Sequence, residues 1–284
     1  MPLRRQLFRK VTIVGVGLIG GSLGKAIKDR RLAREVIGVS QRQSSLTAAL
    51  KAQVVDQVQH DVKKAVANAD LVVLSTPISI ITSMLMTLGP HLKRNCIVTD
   101  VGSTKVSIVQ TARKYLPKHV FFVGSHPLAG SEKKGVQNAR TDLYRGSLCL
   151  MTPTEDTNKA ASERVKRLWS QVGAKVKYTS PEEHDRILAY TSHLPHLLAY
   201  ALINSLPSAY LEFCGSGFKD TTRIAASTPQ IWADICLANS KNLVKSLDET
   251  TKFLSALRKA ISIHDQKALI NLLKGAKAKR DSLD

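Results

Sequence analysis

Three glycines near the start of the chain have a spacing that suits phosphate binding. Gly15, Gly17 and Gly20 follow the G-x-G-x-x-G pattern, directly after the β-branched run 11–14. The first glycine makes a strand-to-helix turn, the second lets the backbone approach a pyrophosphate, and the third lets the helix pack on the strand. A second apolar run, 36–39, lies where a βαβ unit would place its next strand, which favours a dinucleotide site over a plain glycine-rich turn. We expect the cofactor to contact Gly15, Gly17, Leu18, Ile19 and Gly20.

The residues after the second run indicate which dinucleotide binds. An NAD site usually carries Asp or Glu about 20 residues past the glycines, where the carboxylate accepts the ribose 2′-hydroxyl. This chain has Ser40 there, and Arg42 follows two residues later. A hydroxyl and a guanidinium suit a 2′-phosphate, which a carboxylate would repel. We therefore favour NADP, with NAD as the alternative if Arg42 is only a solvated loop residue.

Small and polar residues also follow three later apolar runs of the chain. Ligands of doubly wound folds gather at the carboxyl ends of the strands, so these positions are candidates for the site, although each alone is also typical of a turn. For the cofactor the candidates are Ser75, Thr76, Pro77 and Asp100, and for the reaction they are Ser103 and His126.

His126 is the residue that we expect to act as a base. An imidazole at a strand end, beside the position of the nicotinamide, can accept a hydroxyl proton as hydride leaves the same carbon. A structural histidine is the alternative.

A second pair of histidines, His193 and His196, lies inside a predicted helix that spans 182–206. Pro195 between them removes the hydrogen bond to the carbonyl of Thr191 and bends the helix, and such a costly kink beside polar residues indicates a site. No third ligand with a characteristic spacing accompanies the pair, so we expect no metal.

A glycine turn, Gly215–Gly217, leads into a further helix start that carries Lys219 and Arg223. Arg223 is suited to clamp a substrate carboxylate with two hydrogen bonds. The alternative is a surface ion pair with Asp220, three residues earlier on the same helix.

The composition is that of a globular protein with an excess of positive charge. The chain has 284 residues, 43% of them hydrophobic, and a formal net charge of +20. Such a charge attracts anions. Nucleic acid is one candidate, but aromatic residues make up only 5% and no DNA- or RNA-binding motif is present. A phosphorylated cofactor and an anionic substrate explain the sign equally well, so we expect a small-molecule substrate and no nucleic acid.

The cysteines and the apolar runs bear on the compartment. The four cysteines, Cys96, Cys149, Cys214 and Cys236, are far apart and form no C-x-x-C pair, so neither a zinc site nor a disulfide framework is indicated. We expect a reducing compartment, the cytoplasm. No run reaches the roughly 18 apolar residues of a membrane span.

The pattern of the chain changes near residue 180. Before it, short apolar runs alternate with polar or helical stretches, which predicts an α/β fold with a Rossmann-like, doubly wound parallel sheet over residues 1–180. Ser180-Pro181-Glu182-Glu183 is a capping box with proline at the first helical position. Residues 181–284 then have helical periodicity and so much apolar surface that we expect an all-helical domain forming a homodimer.

Taken together, these segments resemble the prephenate/arogenate dehydrogenase family of tyrosine biosynthesis. The resemblance spans about residues 11–239, in the family's order. Its carriers are the glycine pattern, Asp100-Val-Gly-Ser-Thr-Lys105, Gly124-Ser-His-Pro-Leu-Ala-Gly130-Ser-Glu132, Ser192-His-Leu-Pro-His196, Gly217-Phe-Lys-Asp-x-Thr-Arg223-Ile-Ala and the helix of Trp232.

The resemblance implies an NAD(P)-dependent oxidative decarboxylation of a cyclohexadiene. His126 would hydrogen-bond the ring hydroxyl and accept its proton, oriented by Ser103, and Arg223 would hold a carboxylate. Prephenate and arogenate differ in a ketone or an amine on the side chain, and Glu132 would favour the ammonium group of arogenate. The further substrate-binding residues that the match implies are Ser131, Glu132, Ser192, His193, His196 and Lys219.

Two features qualify this expectation. Many family members keep Asp where Ser40 stands, and we expect no fused mutase or C-terminal regulatory domain, so that any feedback by tyrosine would act at the active site. The main rival is a β-hydroxyacid dehydrogenase with the same two-domain plan, but that class depends on a lysine in the helical half. A basic nucleic-acid-binding protein is the remaining alternative.

Overall fold

The computed structural model describes residues 6–130 and 135–283. Within this part the chain forms two compact units, which divide after Asn239. The first unit contains both sheets and the helices up to residue 238, and the second contains two helices.

The main sheet of the first unit has six parallel strands in the order β3-β2-β1-β4-β5-β6. Val and Ile dominate β1, β4 and β5, whose residues from Val11 onward are buried on both faces of the sheet. The order reverses between β1 and β4, and ligands bind at such a point in doubly wound folds. The strands are β1 (Phe8–Val14), β2 (Ala33–Val39), β3 (Gln57–Gln59), β4 (Leu71–Leu74), β5 (Ile97–Asp100) and β6 (Phe121–Val123).

Helices cover both faces of this sheet. Apolar side chains of α1, α2 and α6 pack in one buried cluster with Val11 and Ile13 of β1, and those of α3, α4 and α5 pack in another with Val14. The doubly wound fold predicted from the alternating pattern is therefore confirmed. The helices are α1 (Leu18–Asp29), α2 (Gln43–Lys51), α3 (Val62–Val66), α4 (Ile78–Leu88), α5 (Val106–Tyr115) and α6 (Lys159–Gln171).

A second, smaller sheet was not expected. It consists of β7 (Ser125–Pro127), β8 (Leu148–Met151) and β9 (Lys175–Tyr178), with β7 antiparallel to β8 and β8 parallel to β9. The apolar runs 148–151 and 174–178 were expected to extend the parallel sheet, and this expectation is wrong. The chain turns after Gly124 and forms the short strand β7, which pairs with β8, and β8 in turn pairs with β9. His126 consequently lies in the middle of β7, and not only at the end of a strand of the main sheet.

The helical half begins where the capping box predicts. Ser180 Oγ accepts the N–H of Glu183 at 3.1 Å, and Pro181 opens α7 (Pro181–Leu188). The expected continuous helix is interrupted: a π-turn at Ala189–His193 precedes α8 (Leu194–Asn204), in which Pro195 occupies the first turn. In a regular helix the ring of Pro195 would clash with the carbonyl one turn earlier, and its missing N–H would leave that carbonyl without a donor. The wider π-turn accommodates both effects. Further along are α9 (Ser216–Thr222) and α10 (Pro229–Ala238).

The second unit consists of α11 (Ser240–Ser262) and α12 (Gln266–Asp281). His264 between them has a φ of 55°, and Asp265 caps α12 by accepting the N–H of Ala268 at 2.9 Å. Across the described residues we find no helix that is both long enough and apolar enough to cross a bilayer.

Candidate active site

One cavity of about 780 Å³ opens at the carboxyl edge of the main sheet in the first unit. The glycine turn contributes Gly17 to its lining, the loops after β4 and β5 contribute Ser75 and Ser103, and β7 contributes His126. The helical half lines the opposite side. Its polar or aromatic contributors are Ser192, His196, Arg223 and Trp232.

The glycine turn fits a dinucleotide because two of its glycines leave no room for a side chain and the third faces open space. Gly15 has a φ of +98°, and a Cβ there would lie 2.3 Å from the carbonyl oxygen of Ser75. A Cβ on Gly20 would lie 2.1 Å from the carbonyl oxygen of Gly15, whereas one on Gly17 would meet no atom within 4 Å. Gly17 thus marks open space where a phosphate can approach the backbone.

The loop after β4 supplies polar groups that suit the same ligand. The hydroxyls of Ser75 and Thr76 are buried and have no hydrogen-bond partner among the described residues. Buried polar groups normally have hydrogen-bond partners, so these two hydroxyls are available to bond a ligand. Leu18 and Ile19 line the cavity, while Pro77 lies outside it and precedes the first residue of α4.

Ser40 and Arg42 lie beyond the end of β2 and outside the cavity. Arg42 is exposed, and its backbone N–H donates to Ser40 Oγ at 3.2 Å. In a fold of this kind the second strand ends beside the adenosine ribose of a bound dinucleotide, so both residues lie near that end of the cofactor site.

Asp100, predicted as a cofactor ligand, is placed elsewhere. Its carboxylate is fully buried, pairs with the Lys105 ammonium, and accepts the N–H of Gly102 at 2.8 Å. The pair closes the loop that presents Ser103 to the cavity. Asp100 does not line the cavity. Its carboxylate stabilises this loop through the buried ion pair with Lys105.

His126 is the first member of a buried hydrogen-bonded chain. Its Nδ1 lies 2.9 Å from Nε2 of His184, and Nδ1 of His184 lies 2.8 Å from Oδ1 of Asp185. The carboxylate of Asp185 accepts the backbone N–H groups of Lys105 and Val106 at 2.7 and 3.0 Å. The three side chains are 8%, 0% and 2% exposed. Only His126 of the three lines the cavity.

Asp185 fixes the direction of the hydrogen bonds in the series His126–His184–Asp185. Because both oxygens of Asp185 act as acceptors, the proton between Asp185 and His184 belongs to Nδ1 of His184. Nε2 of a neutral His184 is then an acceptor, to which Nδ1 of His126 must donate. Nε2 of His126 is left with a lone pair, as a general base requires.

Burial keeps both histidines neutral. It lowers the pKa of His126 well below the ordinary histidine value, and the nearby ammonium of Lys105 lowers it further. Burial also lowers the pKa of His184, against the opposing effect of its hydrogen bond to Asp185.

The two histidines of α8 and the π-turn have different environments. His196 lines the cavity, stacks on the Trp232 ring at 3.5 Å between centroids, and donates from Nδ1 to the carbonyl oxygen of Ser192 at 2.9 Å. His193, predicted to bind substrate, is fully buried behind the cavity wall and lies 3.1 Å from Asn239. Burial lowers the pKa of His193 to about 4, so this residue is a neutral support for its neighbours.

The remaining predicted residues are divided. Arg223 lines the cavity at the end of α9, whereas Lys219, one turn earlier, is exposed and does not line it. Ser131 and Glu132 lie outside the described residues. No three described His, Cys, Asp or Glu side chains cluster in a way that could hold a metal ion.

Sequence reasoning missed His184 and Asp185. The pair sits in the first turns of α7, where acidic residues are expected merely to favour the helix dipole. The available signal was an adjacent His and Asp one turn after a cap, and the partner of this pair, His126, is distant in the sequence.

Removing the His184 ring should impair the base without emptying the site. We expect His184→Ala to lower kcat about tenfold, because His126 loses the acceptor that fixes its tautomer and orientation. His184→Gln should recover most of the loss, since an amide oxygen can accept from Nδ1 of His126. Steady-state kinetics of both variants, with cofactor affinity as the folding control, test this expectation. Equal kcat in all three proteins would exclude a role for the chain of hydrogen bonds.

Comparisons with known proteins agree with this geometry. Residues 23–178 match the family described as "Prephenate dehydrogenase, nucleotide-binding domain", and residues 180–275 match "Prephenate dehydrogenase, dimerization domain". The prephenate dehydrogenase of Bacillus subtilis is 35% identical over 285 residues, which cover 98% of this chain and 77% of that protein.

Solved structures resemble the chain along its whole length. The A. aeolicus prephenate dehydrogenase, in complex with hydroxyphenyl propionate and NAD+, has a TM-score of 0.90 and 36% identity, and 100% of both chains is covered. Synechocystis arogenate dehydrogenase has a TM-score of 0.80 and 32% identity, with 97% of this chain and 100% of that one covered. The chain belongs to the prephenate dehydrogenase family.

Proposed function

We propose that this protein catalyses the NADP+-dependent oxidative decarboxylation of prephenate, arogenate or both. The single observation that carries the proposal is that one cavity holds the glycine turn, the His126 base and the Arg223 guanidinium. Both candidate substrates bring a ring hydroxyl for the base and carboxylates for the guanidinium.

The chemistry requires a base and a clamp. The nicotinamide, when bound, accepts hydride from the ring carbon that carries the hydroxyl. The carbon–carboxylate bond then breaks, carbon dioxide leaves, and the released electron pair makes the ring aromatic. Nε2 of His126 takes up the hydroxyl proton as positive charge develops on that oxygen and returns it to the phenol. The substrate itself supplies the driving force, so the protein contributes mainly placement and electrostatics.

The cavity residues divide the work of binding. Ser103 lies on the loop fixed by the Asp100–Lys105 pair and orients the ring hydroxyl together with His126. Arg223 holds a carboxylate, and His196, with Nδ1 already bonded to Ser192, offers Nε2 to a substrate donor. Ser192 lines the cavity. We further propose, from the family motif alone, that Ser131 and Glu132 bind substrate and that Glu132 favours an ammonium group. His193 and Lys219 contribute from outside the cavity, the former by supporting its wall.

We infer that NADP+ is preferred over NAD+. Ser40 and Arg42 offer a hydroxyl and a permanent positive charge, and α2 begins beside them without an acidic residue in its first turn. Replacing Ser40 by Asp should lower kcat/KM for NADP+ at least tenfold, because a carboxylate repels the 2′-phosphate. The same variant should keep or improve kcat/KM for NAD+.

Arg94→Ala, an exposed arginine at the opposite edge of the sheet, is the matched control for a general loss of positive charge. Cofactor kinetics at fixed substrate give the comparison. An unchanged NADP+/NAD+ ratio in Ser40→Asp would remove Ser40 from cofactor selection.

The family match and the exposed side chains bear on the oligomeric state, and the cysteines bear on the compartment. The match to a dimerization domain indicates a dimer, and we propose that it is a homodimer formed through residues 181–284, with the domain boundary at 180–181. Tyr210, Leu211, Phe213 and Leu237 are large apolar side chains left exposed on the first unit, as such an interface requires. All four cysteines are unpaired, which suits the reducing cytoplasm.

The proposed activity is tested by offering prephenate and arogenate, each with NAD+ and NADP+, to the purified protein. We expect formation of reduced cofactor and carbon dioxide in equal amounts, fastest with NADP+. Salt-dependent DNA binding without turnover of either substrate would overturn the proposal and favour the nucleic-acid alternative.

A further inference from the structure

The strands β2 and β3 end side by side at the carboxyl edge of the main sheet. Their parallel register pairs Ile37 with Gln57 and Val39 with Gln59. Neighbouring strands are about 4.8 Å apart, so the next residues, Ser40 and His60, leave the sheet at adjacent positions. His60 is therefore next to the serine that the cofactor proposal assigns to the adenosine ribose.

His60 is engaged with the residue that follows Arg42. Its Nε2 forms a hydrogen bond with Oε1 of Gln43, the first residue of α2. An amide oxygen only accepts, so the imidazole must donate. With its oxygen occupied, the Gln43 amide has two N–H donors left for a further partner.

No carboxylate of these strand ends competes for those donors. Residues 40–44 and 57–60 contain no Asp or Glu. The next acidic side chain, Asp61, accepts the backbone N–H groups of Lys63 and Lys64 at 2.9 and 3.4 Å and caps α3. Its charge is directed to the start of that helix.

We propose that Gln43 and His60 complete the subsite for the 2′-phosphate of NADP+. Gln43 donates its amide N–H groups to the phosphate oxygens beside Arg42. His60 is a positioning residue, which holds Oε1 of Gln43 so that the donor end of the amide faces the phosphate. The inference rests on the proposed preference for NADP+.

Equilibrium titration of NADP+ and NAD+ into the substrate-free protein, together with kinetics with both cofactors, tests the proposal, and we expect Kd to follow the changes stated for KM. His60→Ala and Gln43→Ala should each raise KM for NADP+ about fivefold, the usual effect of losing one hydrogen bond, while kcat and KM for NAD+ stay unchanged. The double variant should be no worse than Gln43→Ala, because His60 acts through Gln43. His60→Gln, which keeps a donor, should restore much of the affinity. His91→Ala, a histidine away from this edge, is the control.

The outcomes separate this inference from the cofactor proposal. Unchanged KM for NADP+ in His60→Ala, alongside a raised KM in Arg42→Ala, would overturn the role of His60 and leave the NADP+ preference standing. Equal rises for NAD+ and NADP+, or fully additive effects in the double variant, would also overturn it. If the wild-type protein had equal kcat/KM for NAD+ and NADP+, both the cofactor proposal and the role of Gln43 and His60 would be overturned.

Discussion

Replacing His126 by Asn is expected to lower kcat at least ~100-fold while leaving cofactor affinity nearly unchanged. Asn can place a side-chain N–H where Nδ1 of His126 donates to His184, so the buried chain of hydrogen bonds is retained. What the variant lacks is Nε2, the only nitrogen of the His126 ring left for the substrate hydroxyl. The loss should therefore appear in the chemical step and not in binding.

The pH dependence of the wild type gives the same residue a second test. Catalysis needs the neutral imidazole, and activity falls when the pH drops below its pKa. Because burial, with the charge of Lys105, lowers the pKa of His126, kcat/KM should hold down to a pH below the ordinary histidine range of about 6.5. His126→Asn should lack this acidic limb. Normal turnover in the variant would remove His126 from its role as base.

Replacing Arg223 by Leu is expected to raise KM for the substrate about 100-fold, with a smaller effect on KM for the cofactor. Arg223 belongs to the cavity wall, and its charge contributes to lowering the pKa of His196, after the main effect of burial, so the two side chains face the same region. A guanidinium binds a carboxylate through two parallel hydrogen bonds. Arg223→Lys should recover only part of the affinity, since an ammonium cannot supply that fork.

Arg186→Ala is the matched control, an exposed arginine of the same half that pairs with Glu183 and does not line the cavity. It should leave KM within about twofold of the wild type. If Arg223→Leu behaved like Arg186→Ala, the clamp would have to be another residue.

Local patterns in the sequence were sufficient for much of the fold. The G-x-G-x-x-G spacing, with β-branched runs before and after, predicted the β1–α1–β2 unit, and the Ser180 capping box placed the start of the helical half. These features work because each depends on neighbours in the chain: a turn that excludes Cβ atoms, or a side chain that satisfies N–H groups three residues ahead. His126, Ser103, His196 and Arg223 were likewise predicted, through motifs, and they line one cavity.

The structure departs from the sequence-based expectations where contacts between distant residues decide the position of a side chain. Asp100 reads as a cofactor ligand at a strand end, but the Lys105 side chain folds back and buries it. His193 and His196 look equivalent in the sequence, yet the π-turn before Pro195 sends one into the wall and the other to the cavity. His184 and Asp185 become part of the site only because the small sheet brings His126 against α7, and no local sequence pattern predicts that contact.

The central claim is that a base from the nucleotide half and a guanidinium from the helical half bind one small substrate together. The most direct measurement is a crystal structure of this protein with NADP+ and hydroxyphenyl propionate, the ligand present in the A. aeolicus relative. We predict the phenolic oxygen within hydrogen-bond distance of Nε2 of His126 and the carboxylate on Arg223. A ligand bound with its hydroxyl away from His126, or outside the cavity altogether, would contradict the account.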